Sequence, residues 1–178
     1  KNGGRLRDVV YHQEEEYEAE LMILLDDSKS MVAFKEQAEQ MVKIIAKEIE
    51  AKPERYYFSD ISLPSYFKNR SHTEAVKLRD LKSKYIHKRI PVLIISDGGA
   101  ARGNYSKENI IKVYQGIEGI RDFASNIAWL NPMSRSRWNT PKPSSAWYIN
   151  QHVIPMFDFS NSDVQAAVNV LRGKSVRR

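Results

Sequence analysis

Oxygen-bearing side chains follow the first apolar segment of the chain at regular spacing. The segment Glu20–Asp26 ends in an aspartate, and Ser28 and Ser30 follow it at alternate positions in one short loop. A second carboxylate, Asp97, directly follows a later apolar segment, Pro91–Ser96. Carboxylate and hydroxyl oxygens are hard ligands that suit Mg²⁺, Mn²⁺ or Ca²⁺ rather than zinc or copper. The spacing therefore predicts a divalent-cation site.

Each half of this pattern also has a purely structural interpretation. Ser28 and Ser30 could cap a helix that begins near Met31, and Asp97 could open a turn before Gly98. Either coincidence alone is common in proteins. Both together, each at the end of an apolar segment, favour the cation site.

Short apolar segments alternate with amphipathic ones along the chain, which predicts strands alternating with helices. The predicted strands are Glu20–Asp26, Arg55–Phe58, Pro91–Ser96, Ile127–Leu130 and Val153–Phe159. The predicted helices are Met31–Glu50, which Pro53 ends, Thr73–Lys84, Ser106–Phe123 and Asp163–Leu171. Ile61–Ser71 and Asn131–Ser145 are predicted loops. This order predicts an α/β fold, a Rossmann-like and mostly parallel sheet with helices on both faces. Such sheets bind ligands at the carboxyl ends of their strands, where Asp26 and Asp97 lie.

Composition limits the remaining possibilities. The chain has 178 residues, a net charge of +6 and no cysteine, which excludes disulfides and thiolate zinc sites and favours a cytoplasmic location. No apolar run reaches the roughly 20 residues needed to span a bilayer. We expect an N-terminal extension at 1–17, one domain at 18–172 and a basic C-terminal tail at 173–178.

The two motifs resemble those of the von Willebrand factor A domain and its metal-ion-dependent adhesion site. The matching pieces are Leu24–Met31, which contains Asp-Asp-Ser-Lys-Ser, and Leu93–Gly98. The resemblance implies a cation, Mg²⁺ or else Mn²⁺ or Ca²⁺, with Ser28 and Ser30 as direct ligands. Asp26 and Asp97 would hold the ion directly or through water.

The resemblance also implies a third hydroxyl ligand, a threonine from a middle loop, and Thr73 lies in the right interval. The family threonine usually follows two glycines, whereas this chain has Ser71-His72 before it. Asp27 is a second departure, because the family often has an apolar residue there.

A narrower likeness concerns Ile127–Pro132 and the Arg137-Trp138 pair, which resemble bacterial CoxE-like A domains. Those domains often accompany MoxR-type AAA+ ATPases. The resemblance implies a non-enzymatic adhesion or scaffold function, in which an acidic residue of a protein partner completes the metal shell. We expect Arg135, Arg137 and Trp138 to contact that partner, since Arg and Trp are enriched at binding hot spots. The alternative is that Trp138 packs back onto the domain.

Two other functions stay open. A basic segment is formed by Lys77, Arg79, Lys82, Lys84, Lys88 and Arg89, which could bind nucleic acid or simply form a solvated surface. The segment Leu24–Ser28 also resembles the acidic pair of two-component receiver domains, in which Asp97 would accept phosphate. A receiver needs a lysine near the end of its last strand, where this chain has Asp158–Ser160.

Overall fold

The structure is a computed structural model that describes residues 19–174. The predicted extension at 1–17 and tail residues 175–178 lie outside the described residues. The described strands are β1 (Ala19–Asp26), β2 (Ala51–Phe58), β3 (Ser65–Phe67), β4 (Ala75–Lys77), β5 (Ile90–Ile95), β6 (Ala124–Asn131) and β7 (Met156–Asp158). The described α-helices are α1 (Lys35–Ile49), α2 (Leu78–Tyr85), α3 (Lys107–Arg121), α4 (Ser145–His152) and α5 (Asn161–Leu171).

One seven-stranded sheet organises these elements, in the order β4-β3-β2-β1-β5-β6-β7. Strands β2, β1, β5, β6 and β7 are parallel, and β3 and β4 add an antiparallel edge. The predicted α/β, Rossmann-like fold is confirmed. None of the helices in residues 19–174 combines the length and the hydropathy of a membrane-spanning segment.

Strand β1 lies at the centre of the sheet because its side chains are apolar on both faces. Every residue from Leu21 to Leu25 is at most 1% exposed. Leu21, Ile23 and Leu25 pack with helices α1 and α5, whereas Met22 and Leu24 pack on the opposite side with α2, α3 and α4. Continuous apolar sequence is typical of strands covered by helices on both faces. Asp26 is the last residue of this buried strand.

The first helix differs from its prediction at both ends. It begins as a 3-10 helix over Lys29–Phe34 and continues as α1 from Lys35. The prediction that Pro53 ends it is wrong, because α1 is followed by Glu50 in the left-handed region, with φ of 55°. Pro53 lies inside β2, which pairs with β3 only at Tyr57. Its missing N–H is therefore tolerated, since β2 has one neighbour at that point.

The segment between β2 and α2 is more ordered than its prediction. The predicted loop Ile61–Ser71 contains β3, and the predicted helix Thr73–Lys84 begins only at Leu78, after β4. Both strands have three residues, which is too short for a clear alternation of apolar and polar side chains.

Differences also occur near the C-terminal end of the described chain. The predicted loop Asn131–Ser145 carries a 3-10 helix over Arg135–Arg137 and leads directly into α4, which the prediction lacks. The predicted strand Val153–Phe159 shortens to β7. Helix α3 is capped by Ser106, whose hydroxyl accepts a hydrogen bond from the Asn109 N–H at 3.2 Å.

Candidate functional site

Asp26 is the last residue of β1, and its side chain is held in one orientation. The Ser28 N–H donates to Asp26 Oδ1 at 2.9 Å, and the Ser96 hydroxyl donates to Oδ2 at 2.6 Å. The residue is only 9% exposed. Burial raises the pKa of Asp26 from 3.8 to about 6, and the nearby negative charge of Asp97 acts in the same direction. The carboxylate of Asp26 is therefore poorly hydrated and lies near a second negative charge.

The two serines and Asp97 form a continuous row of oxygens beside Asp26. Ser28 Oγ lies 3.1 Å from Ser30 Oγ, and the Ser30 hydroxyl donates to Asp97 Oδ1 at 3.0 Å. The Ser28 side chain makes no capping hydrogen bond to the 3-10 helix that follows it. Asp97 does support its own turn, since its Oδ2 accepts from the Ala101 N–H at 3.0 Å. The structure thus brings together Asp26, Ser28, Ser30 and Asp97.

Two residues that sequence reasoning missed hold this row in place. Ser96 bonds to Asp26, and its Oγ also accepts from the Gly98 N–H at 3.1 Å. The Asn131 side chain donates to the backbone oxygen of Asp97 at 2.9 Å and is fully buried. Their positions in the sequence could have identified them, because each is a polar residue at the carboxyl end of a buried strand.

A polar cavity of about 340 Å³ opens beside the oxygen row. Asp26, Ser28 and Ser30 form part of its wall, and Arg102 and Lys112 line it as well. Lys112 is already engaged, because it bridges two carboxylates of the chain, those of Asp60 and Glu108. No ion pair of Arg102 occurs among residues 19–174. The cavity gives a ligand access to the row, with one uncommitted cation in its wall.

The spacing of the oxygens fits a small hard cation. An octahedral Mg²⁺ with bonds of about 2.1 Å places adjacent ligand oxygens about 3 Å apart. The separations between Ser28, Ser30 and Asp97 are 3.1 and 3.0 Å. Within the described chain, no group of three or more His, Cys, Asp or Glu side chains is placed to hold a metal. Any cation here would therefore depend on the two hydroxyls as well as on the carboxylates.

Thr73, the predicted third hydroxyl, is hydrogen-bonded within its own loop. It is exposed, and its hydroxyl accepts from the Asn69 side chain at 2.6 Å and lies 3.3 Å from the Ser71 hydroxyl. No hydrogen bond in the described part of the chain joins Thr73 to Ser28 or Ser30. The place of Thr73 among the predicted ligands stays a prediction.

The three residues that were predicted to contact a partner differ in how exposed they are and in what they contact. Trp138 is 1% exposed, and its indole N–H donates to the Met133 carbonyl at 2.9 Å. The expectation that its ring faces a partner is therefore wrong, and the alternative, in which it packs onto the domain, holds. Arg135 pairs with Asp163 at 2.6 Å and lies over the Trp138 ring. Arg137 is exposed.

The basic segment is largely neutralised by its own fold. Lys82, Lys84 and Lys88 pair with carboxylates at 2.8, 3.2 and 3.4 Å. The Arg89 guanidinium donates to the Ala124 carbonyl at 2.6 Å. Lys82, Lys84, Lys88 and Arg89 each therefore have a partner within the chain.

Comparison with models of protein families and with curated proteins gives no match for this chain. The chemistry of the site and the motifs in the sequence are the evidence for its function.

Proposed function

We propose that this chain is a non-enzymatic domain that binds a protein partner through a divalent cation, in the manner of a von Willebrand factor A domain. Ser28, Ser30, Asp26 and Asp97 would hold the cation, Mg²⁺ before Mn²⁺ or Ca²⁺. The observation that carries the proposal is the row of oxygens separated by 3.0–3.1 Å at the carboxyl ends of β1 and β5. This edge is where open α/β sheets bind ligands.

The donor set fits a recognition function because it is incomplete. Two carboxylates and two hydroxyls leave positions of an octahedral shell open to water, another hydroxyl or a partner ligand. A bound Mg²⁺ would supply the positive charge that attracts an acidic side chain. The cavity beside the row admits such a side chain, and Arg102 in its wall favours an anion. An Asp or Glu of the partner is therefore the expected ligand.

The proposed class of partner, a MoxR-type AAA+ ATPase, follows from the sequence likeness to CoxE-like A domains, which often accompany such ATPases. We propose that the docking face combines the cation with exposed side chains around it, including Arg137. Trp138 is not part of this face, since its ring is buried. Its role is to pack the segment that carries Arg135 and Arg137 against the domain.

Both rival functions are less well supported by the side chains. A phosphoacceptor needs an accessible carboxylate, whereas Asp97 is 2% exposed and accepts hydrogen bonds at both oxygens. Nucleic-acid binding is disfavoured by the internal ion pairs of Lys82, Lys84 and Lys88.

Partner capture from lysate tests the proposal when elution is chosen to separate the mechanisms. Proteins retained in Mg²⁺ should be released by EDTA and by excess acetate, which competes as a carboxylate. Sodium chloride at the same concentration as the acetate should release much less. Ser30→Ala should retain little even in Mg²⁺, whereas the control Ser125→Ala, on the exposed start of β6, should behave as the unsubstituted chain. Retention that sodium chloride abolishes and EDTA leaves intact would contradict the proposal and favour the basic surface.

A further inference from the structure

Asp27 and His72 join the loop of the candidate metal site to a second loop that is 45 residues away in sequence. His72 Nε2 lies 2.7 Å from Asp27 Oδ2, and the two side chains are 30% and 9% exposed. Asp27 lies between Asp26 and Ser28, both of which belong to the proposed metal site. A contact made by Asp27 therefore acts directly on the part of the chain that carries the ligands.

The contacts of the second loop hold His72 in a defined position. The Asn69 side chain accepts from the N–H groups of Thr73 and Glu74 at 3.0 and 3.3 Å, which fixes a tight turn around His72. His72 itself has a φ of 56°, a left-handed conformation that is uncommon for a residue with a side chain. Its ring stacks on Phe67, with 4.1 Å between ring centroids and 2° between planes. These contacts offset the backbone strain and hold the imidazole in one place.

Asp27 is fixed at both its backbone and its side chain. Its N–H donates to the Phe58 carbonyl at 3.0 Å, which ties it to the end of β2. Its Oδ2 is paired with His72. Its Oδ1 is buried and has no hydrogen-bond partner among the described residues. Burial of an unpaired oxygen costs free energy, so the surrounding contacts must hold Asp27 Oδ1 in this position.

We infer that His72 is a positioning residue of the proposed metal site, where its pairing with Asp27 fixes the loop that carries Ser28 and Ser30. This inference depends on the proposed function, because it concerns the same cation. Residues around the ligands of a metal orient those ligands, and their removal typically lowers affinity by about 10- to 100-fold. His72 acts one step further out, through Asp27, so the lower end of that range is expected.

The choice of cation is the property that this positioning would control. Mg²⁺ requires near-ideal octahedral geometry at about 2.1 Å, whereas Ca²⁺ accepts more ligands in flexible arrangements at longer distances. A loosened Ser28–Ser30 loop should therefore lose affinity for Mg²⁺ more than for Ca²⁺. A contact that only stabilises the fold would leave the ratio of the two affinities unchanged in the folded protein.

The informative variant is His72→Gly, because glycine adopts the left-handed backbone conformation without strain and lacks the imidazole. Calorimetric titration with MgCl₂ and with CaCl₂ should show about tenfold weaker Mg²⁺ binding and a smaller loss for Ca²⁺. His72→Gln retains an amide donor that can reach Asp27, and it should recover part of the loss. His87→Gly is the matched control, since His87 is exposed and no hydrogen bond of its ring occurs within the described residues.

A double-mutant cycle separates the pair from the charge of Asp27. Asp27→Asn alone removes a negative charge near the cation and weakens the binding of both ions. In the His72→Gly background its effect on Mg²⁺ should be smaller, because the contact is already lost. Mg²⁺ binding that is equal in the unsubstituted chain and in His72→Gly overturns the inference and leaves the proposed function intact. Absence of Mg²⁺ binding in the unsubstituted chain overturns both.

Discussion

Asp26→Asn changes one buried charge at the centre of the candidate site and keeps the shape of the side chain. The asparagine oxygen can still accept from the Ser28 N–H, as Asp26 Oδ1 does at 2.9 Å. Its amide would face Ser96 Oγ, which has a lone pair left to accept it besides the bond from Gly98. The main effect in the absence of metal is therefore electrostatic.

The size of the effect follows from the pKa of Asp26. Burial raises that pKa from 3.8 to about 6 in the folded protein, so ionisation of Asp26 opposes folding. This cost in folding free energy is absent well below pH 3.8. It grows as the pH rises from 3.8 to about 6, and it is complete above that range. The difference of about two pKa units corresponds to roughly 3 kcal/mol near neutral pH, and to well under 1 kcal/mol at about pH 4.

Thermal or urea unfolding in EDTA measures this directly. Near neutral pH, Asp26→Asn should be more stable than the unsubstituted chain by about 2–3 kcal/mol, which is on the order of 4–12 °C in Tm for a domain of this size. The gain should largely disappear at about pH 4. Asp122→Asn, which removes a carboxylate that is 51% exposed, should change stability by no more than about 0.5 kcal/mol.

Addition of Mg²⁺ should cancel most or all of the advantage of the variant. A ligand at a hundredfold excess over its Kd stabilises the folded state by about 2.7 kcal/mol. The unsubstituted chain should gain this stability, and Asp26→Asn should gain little. A variant that is less stable in EDTA at neutral pH, or whose gain is the same at both pH values, would refute the electrostatic reasoning.

Two further predictions concern the packing of the domain. Trp138→Ala should cost about 3–5 kcal/mol in urea unfolding, since the ring is 1% exposed. It should leave the Mg²⁺ affinity of the folded protein unchanged. A loss of stability below about 1 kcal/mol would contradict the burial of the ring. Gly116→Ala should cost about 1–3 kcal/mol in the free energy of unfolding, because the added Cβ would lie 2.6 Å from the Ile61 carbonyl oxygen. Gly119→Ala in the same helix should be neutral or stabilising, because its Cβ meets only the end of the Leu78 side chain, at 3.1 Å. Equal effects of the two substitutions would contradict this difference.

The central sheet could be predicted from sequence because its strands are continuous apolar runs that end in polar residues. β1 and β5 have this form, and their ends place Asp26 and Asp97 at one edge of the sheet. The Ser28–Ser30 spacing then brings both hydroxyls to the same edge. These features depend on local sequence and on the geometry of parallel sheets alone.

The features that escaped prediction depend on contacts between distant parts of the chain. β3 and β4 exist because they pair at the sheet edge, although three residues carry no visible pattern. The burial of Trp138 could be predicted only with the knowledge that the segment before α4 folds back on the core. Asp27 and His72 are separate departures from the von Willebrand factor A motifs that the sequence resembles, and the sequence gives no sign that the two residues meet.

Titration of the metal-free protein with Mg²⁺ by isothermal calorimetry tests the central claim most directly. The unsubstituted chain should bind one Mg²⁺ per molecule, and Mn²⁺ should compete for the same site. Replacement of both hydroxyls, Ser28→Ala with Ser30→Ala, should abolish this binding while the protein stays folded by circular dichroism. Replacement of the paired hydroxyls at Ser134 and Ser136, which lie 3.1 Å apart on the surface, should leave the titration unchanged. Equal Mg²⁺ binding by the Ser28/Ser30 double variant and the unsubstituted chain, or no binding by either, would contradict the account.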